Sequence, residues 1–226
     1  MPRSARVAPG GMVFHALNRG VGGMRLFSKA GDYAAFEAIV AETQEHRPLR
    51  ICGYCLMPTH WHFVVWPEED GQLAAFMQRL TITHARRWQE HRARVGLGHV
   101  YQSRYKSFPV ETDDYFYQLM RYVERNALRA NLVESAEDWR WSSLWRHLHG
   151  TPEQKSMLSD WPIPRPRNWR RNVNEPQSEV ELLAIRQAIH RGQPLGGQAW
   201  VLATAKQLGL ESSLRLPHRP RKTVPR

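Results

Sequence analysis

Met57-Pro58-Thr59-His60-Trp61-His62-Phe63-Val64-Val65-Trp66 sets two histidines one residue apart in an apolar, β-prone run. A strand alternates its side chains between two faces, so His60 and His62 project from one face and Trp61 from the other. Two imidazoles side by side on a rigid strand make a ready pair of ligands for a divalent ion. The same pattern also suits two polar side chains turned to solvent. A second constellation lies in Tyr115 to Asn126, where Tyr122 and Asn126 stand at i and i+4 of a helix and share one face. The Asn126 amide oxygen could serve as a third metal ligand, and the Tyr122 phenol as a nucleophile; a tyrosine beside leucines also reads as core.

Attack on a phosphodiester is the chemistry that needs such a set. A phenol titrating near about pH 10 is a poor nucleophile at neutral pH. A divalent ion on the scissile phosphate withdraws charge from phosphorus, orients the bond and stabilises the pentacovalent transition state. The resulting phosphotyrosine keeps the energy of the broken bond, so a second strand's hydroxyl can reseal it without ATP. Tyr115 and Tyr117 are rival nucleophiles on the same helix. Four residues beyond them stand Leu119 and Arg121, and neither can ligate a metal.

The elements that must position these groups follow from the pattern. Met12 to Leu17 reads as a first strand, ended by the turn-rich Asn18 to Gly23. Gly31 to Glu45 carries Tyr33, Phe36, Ile39 and Val40 at helical spacing. Leu49 to Leu56 and His60 to Trp66 are strands joined by a tight turn, and Gln72 to Arg92 is a long helix. Tyr101 to Glu111 reads as a fourth strand. Thr112 then caps a helix that runs to about Ala130, with Asp113 and Asp114 in its first turn. The order β-α-β-β-α-β predicts an α+β fold, the ferredoxin-like split βαβ sheet, with an extra helix that carries Tyr122.

Charge is unevenly placed. The chain has 32 basic and 21 acidic residues, a net of +11, and residues 161–226 alone carry 12 against 4. The excess points to a polyanion held largely by the C-terminal part. No apolar run reaches spanning length and no signal-type N-terminus is present, which predicts a cytoplasmic protein associated with chromosomal DNA and no membrane partner. Cys52 and Cys55 lack the second ligand pair of a zinc site and read as buried or half-buried thiols pointing to opposite faces of their strand. His84 and His99 have no partner at ligand spacing and read as surface or capping residues. Trp139, Trp141 and Trp145 read as packing for the last helix, with stacking on an unpaired base as the alternative.

The division expected is a catalytic domain over 1–150 and a basic extension over 151–226. The extension opens on the proline-rich Trp161 to Asn168 and continues with helical patterns at Ser178–His190 and Gly197–Leu208. Those two could form a helix-turn-helix or any small helical hairpin. Arg219 and Arg221, in an arginine–proline tail, suit either a minor groove or unspecific phosphate attraction. Arg104 and Lys106, alternating on the fourth strand, and Arg19 at the first turn are candidate phosphate contacts or members of a solvated face.

In combination, Met57-Pro58-Thr59-His60-Trp61-His62 and Tyr122-x-x-x-Asn126 resemble the HUH single-tyrosine transposases, and more narrowly the REP-associated tyrosine transposases. Asn18-Arg19-Gly20, Tyr101 to Ser107, Arg125 to Val133, Trp139 to Ser143 and Gly192 to Gly196 extend the likeness over roughly 11–150, and more loosely to 222. The resemblance implies a DNA endonuclease and strand transferase acting on single-stranded hairpins of repetitive extragenic palindromes. It implies that His60, His62 and Asn126 hold Mg²⁺ or Mn²⁺, that Tyr122 takes the 5′ phosphate, and that the protein is a monomer or homodimer. One departure is Ala127, where relatives place proline; alanine favours a helix that runs a turn further. The rival class is a non-catalytic nucleic-acid binder of the RNA-recognition type, which shares the sheet topology.

Overall fold

Alternating inward side chains make Val13–Arg19 a strand, β1, in the computed structural model, which describes residues 7–215. There follow α1 (Ala30–His46), β2 (Arg50–Met57), β3 (His60–Trp66), α2 (Gln72–His91) and β4 (Lys106–Val110). The strands lie in the order β2-β3-β1-β4 with every neighbouring pair antiparallel. This is the split βαβ arrangement expected from the sequence. Residues 219 and 221 lie outside the described residues.

One face of the sheet presents Ala16, Tyr54, Trp61 and Phe63 to α1 and α2. Those helices answer with stripes at helical spacing, Tyr33, Phe36, Ile39 and Val40 from α1 and Leu73, Phe76, Met77, Leu80 and Trp88 from α2. His84 belongs to the α2 stripe and is buried, which corrects the expectation of a surface residue. Its Nδ1 lies 2.6 Å from the Tyr101 hydroxyl, which also accepts a hydrogen bond from Trp61 Nε1.

Burial holds the His84 imidazole down to about 3 against an ordinary 6.5. The unfolded chain therefore binds the extra proton between these values, and stability falls as pH drops below about 6.5. From pH 7 to pH 5 this histidine alone costs about 2 kcal/mol. His84→Gln is expected to lose that much less stability than the wild type over the same interval, measured by urea denaturation at both pH values.

The opposite face carries α3 (Asp114–Glu124) and α4 (Asn126–Arg129). Asp113, not Thr112, caps α3: its side chain accepts from the Tyr115 N–H. The helix expected to run unbroken to Ala130 is interrupted at Arg125 and resumes for one turn as α4. Helix α3 approaches β2 closely where Gly53 leaves room, since a Cβ there would stand 2.3 Å from Met120 Cε. A β-bulge between Ile51 and Gly53 shifts the alternation. As a result Cys52 and Cys55 both join the core on the α3 side, rather than facing opposite ways. Both are free thiols, and burial pushes each up to about 12.

Strand β4 begins only at Lys106; Tyr101 makes a single bridge to Gly20, and Gln102 to Arg104 form a bend. Arg104 and Lys106 therefore do not alternate on one strand.

The remaining helices are α5 (Ser143–His149), α6 (Pro152–Lys155), α7 (Trp169–Asn174), α8 (Glu179–Arg191), α9 (Gln198–Gln207) and α10 (Glu211–Leu214). Trp139 and Trp141 pack on the α1–α2 side, with Trp141 stacked on Tyr33, while Trp145 is half-buried beneath Arg140. Trp169, Val173, Leu182, Ile185, Ala188 and Leu195 share one core with Phe108, Phe116 and Val123. The basic extension thus completes the sheet's second layer. Leu195 exchanges backbone hydrogen bonds with Pro109 and Glu111 and covers the open edge of β4. Arg121 and Arg125 spend their donors on backbone carbonyls between Asn172 and Pro176. Part of the positive charge is therefore structural.

Glu124 is fully buried at the end of α3, where its two carboxylate oxygens accept from Ser143 Oγ at 2.6 Å and Trp169 Nε1 at 2.7 Å. Trp169→Ala removes a buried indole and strands a buried carboxyl group. We expect it to lower stability by about 3–5 kcal/mol, read from denaturant unfolding.

Candidate active site

Strand register assembles the site. On β3, His62 lies opposite Leu17 of β1 and Cys55 of β2, and Leu17 lies opposite Lys106 of β4. One step along, His60 lies opposite Arg19 and Met57. Because partners in register share a face, Arg19, Lys106, His60 and His62 all belong to the face that α3 and α4 cover. Arg19 and Lys106 are exposed at its margin, and Lys106 Nζ reaches the Ile189 carbonyl of α8 at 3.4 Å.

The two imidazoles are held from behind. His62 Nδ1 lies 2.9 Å from His15 Nε2, with the rings stacked at 9° and 5.0 Å apart. His60 Nδ1 lies 3.0 Å from Thr59 Oγ1. The rings of His60 and His62 are nearly perpendicular, 5.0 Å between centroids. With both Nδ1 atoms engaged, each ring has Nε2 left for another partner. Burial lowers His60 to about 4, helped by the charges of Arg19 and Arg129, and takes His62 well below its ordinary value, helped by His15, His60 and Arg129. Both imidazoles are thus neutral near pH 7, the state in which a histidine can donate to a metal.

Tyr122 enters from α3. Its ring meets His62 edge-on with centroids 6.0 Å apart, and it lines a cleft of about 650 Å³ with His60, His62, Arg19, Lys106 and Ile189. Among the described residues its hydroxyl has no hydrogen-bond partner. Tyr117, by contrast, donates its hydroxyl to the Pro164 carbonyl at 2.5 Å, and Tyr115 is half-buried on the same helix. Asn126 begins α4 and is buried; its Nδ2 has no partner while its Oδ1 accepts from Arg129 Nη2 at 3.0 Å.

Neutral imidazoles with free Nε2 atoms and a buried amide with an unspent donor form a plausible set for a divalent ion only if the amide oxygen uses its second lone pair or the group turns over. No cluster of three or more His, Cys, Asp or Glu side chains with metal-holding geometry occurs among the described residues. The donor set here depends on an amide instead.

Residues 24–126 match the family model described as "Transposase IS200 like", an interval that takes in His60, His62 and Tyr122 and ends on Asn126. Over this segment the chain is similar to the IS200-like transposases. A putative REP-associated tyrosine transposase of Haemophilus influenzae is 24% identical over 121 residues, which span 50% of this chain and 69% of that protein. A solved REP-associated tyrosine transposase bound to a REP hairpin has the same fold, with a TM-score of 0.50 and 16% identity over 79% of this chain and all of that one. The resemblance to REP-associated tyrosine transposases read from the sequence therefore stands. No helix among the described residues is long and apolar enough to cross a membrane.

Arg19 and Lys106 line the cleft beside the histidines, whereas Arg104 lines a neighbouring groove between α2 and the 99–105 loop. The two hollows share Asn18, Gln102 and Ser103. Sequence reasoning missed three groups. His15 is an inward position on the first strand, a signal that was legible but had no partner until the sheet order brought β1 beside β3. Arg129 lies at helical spacing from Tyr122 and Asn126. Ile189 reaches the cleft from α8, which only tertiary packing reveals.

Proposed function

We propose that this chain is a metal-dependent, single-strand-specific DNA endonuclease and strand transferase acting on hairpin DNA. What supports the reading is that Tyr122 lines one cleft with His60 and His62 of the same chain, with Asn126 buried one turn further along the helical segment. Hairpin DNA is the preferred substrate because the solved relative is bound to a REP hairpin. Cationic groups at the cleft margin, Arg19 and Lys106, suit the phosphates of an unpaired strand. Arg104 in the adjoining groove, with Arg219 and Arg221 of the tail, would extend that contact.

In this reading the Tyr122 oxygen attacks phosphorus, the P–O3′ bond breaks, and the DNA 5′ phosphate is left on the tyrosine. The phenolic proton goes to water, and the leaving 3′ oxygen takes a proton from solvent. A hydroxyl from another strand end reverses these steps. His60, His62 and Asn126 would hold Mg²⁺ or Mn²⁺, which when bound neutralises charge on the phosphate. The residues behind them do the positioning: His15 and Thr59 fix the ring orientations, and burial keeps both imidazoles unprotonated.

End-labelled hairpin DNA with a single-stranded flank, incubated with Mn²⁺, should give a protein–DNA adduct that survives denaturation. Tyr122→Phe should bind the hairpin equally and give none. Equal binding with no adduct from either protein would support the non-catalytic binder.

A further inference from the structure

Arg129 stacks on the ring of the proposed nucleophile. Tyr122, Asn126 and Arg129 follow one another at i, i+4 and i+7, one face of the α3–α4 segment despite its break at Arg125. The guanidinium carbon sits 4.0 Å from the centroid of the Tyr122 ring. Nη2 donates to Asn126 Oδ1 at 3.0 Å, and Nη1 donates to the Tyr122 carbonyl at 3.3 Å.

A guanidinium carries five N–H donors, and among the described residues these two oxygens are its acceptors. Among the described residues no carboxylate pairs with it. Burial lowers its pKa, and the charges of Arg186 and Arg125 push the same way. Its ordinary value is so high that it remains a cation. A half-buried positive charge without a counter-ion is costly to keep, and an anion arriving in the cleft relieves that cost. Other arginines of this helix have settled partners: Arg121 pairs with Glu181, and Arg125 is spent on carbonyls. Arg129 is left stacked on the ring of the residue that would attack phosphate.

We propose that Arg129 is a catalytic residue that binds a non-bridging oxygen of the phosphate attacked by Tyr122 and holds the phosphotyrosine that results. The proposal rests on the transesterase reading above. Arg129 donates hydrogen bonds only; it forms no covalent bond and transfers no proton. A planar fork of donors fits the equatorial oxygens of a pentacovalent phosphorus and stabilises the charge that develops on them. The contact to Asn126 has a second consequence. As Arg129 turns to the phosphate, it frees the amide oxygen for another cation.

The test uses the full chain, hairpin DNA, Mn²⁺ and single-turnover adduct formation. Arg129→Ala is expected to slow adduct formation by about 10²–10³-fold while hairpin affinity changes by less than about threefold. Guanidinium ion at sub-denaturing concentration should restore at least about a tenfold part of the loss, and ammonium should not. Substrates with sulfur at one or other non-bridging oxygen of the scissile phosphate provide a readout indifferent to folding. The wild type should prefer one isomer, and both Arg129→Ala and Arg129→Lys should shift that preference. A rate within about threefold of the wild type would overturn the proposal. So would a large loss with no guanidinium rescue and an unchanged isomer preference in Arg129→Lys, which is the behaviour of a brace for Asn126. If the wild type itself forms no adduct, the transesterase reading falls, and this proposal with it.

Discussion

Tyr122→Phe is expected to lower DNA strand cleavage by about 10⁴-fold or more, with hairpin affinity and stability nearly unchanged. The substitution removes one oxygen. The ring would keep its edge contact with His62 and its place beneath Arg129. The hydroxyl it loses has no hydrogen-bond partner among the described residues, so nothing buried is left unsatisfied. No neighbour can take over the attack: the Tyr117 hydroxyl is held by the Pro164 carbonyl, and Tyr115 lies nearly two turns further back along α3. Single-turnover cleavage of labelled hairpin DNA, beside an affinity measurement on the same substrate, checks both halves. Residual cleavage above about a hundredth of the wild-type rate would mean that another nucleophile serves.

The second large effect is expected at His62. We expect His62→Ala to lower cleavage by about 10³-fold, and a chelator added to the wild type to do the same reversibly. His62 is the better centred of the two imidazoles, stacked on His15 and met by Tyr122, whereas His60 is half-buried at the rim. Mn²⁺ titrated back into the chelated wild type should restore the rate. The same titration should shift to higher concentration in His62→Ala by about 10–100-fold. A variant with unchanged Mn²⁺ dependence would remove His62 from the ligand set.

The placement of these groups was legible to different depths. Period-two alternation put His60 and His62 on one face because a strand's geometry leaves no other option, and β3 spans the expected residues. The i, i+4 spacing of Tyr122 and Asn126 held across the interruption at Arg125, since the backbone bond from Arg129 N to the Arg125 carbonyl continues the turn. What failed were features set by a partner distant in sequence. The bulge at Cys52 answers to β3 and carries both thiols to one face. Gln102 to Arg104 form a bend between the Tyr101 bridge and Lys106, so β4 is short. His84 reads as a surface group from its polarity, yet its spacing from Met77, Leu80 and Trp88 makes it part of the buried stripe. The basic C-terminal portion reads in sequence as the part that holds a polyanion, or as a plain helical hairpin. Its apolar side chains also complete the core, and two arginines of α3 and its C-cap are consumed in holding it.

Charge counting alone cannot separate a phosphate contact from an internal tie. Arg121 and Arg129 are both arginines of one helical segment, and only their partners differ: a carboxylate and three carbonyls for the first, an amide oxygen and one carbonyl for the second. An arginine whose donors outnumber its acceptors, set against a tyrosine with a free hydroxyl, is a better pointer to chemistry than net charge.

Whether phenol and imidazole pair act on the same phosphorus is settled by locating the covalent bond. Wild-type protein is reacted with hairpin DNA and Mn²⁺, digested with protease and nuclease, and the nucleotide-bearing peptide is sequenced by mass spectrometry. A 5′-linked nucleotide on Tyr122, absent when His60 and His62 are both replaced by alanine, is the expected result. A nucleotide on Tyr115, Tyr117 or any other side chain, or one on Tyr122 that persists without the two histidines, would contradict it.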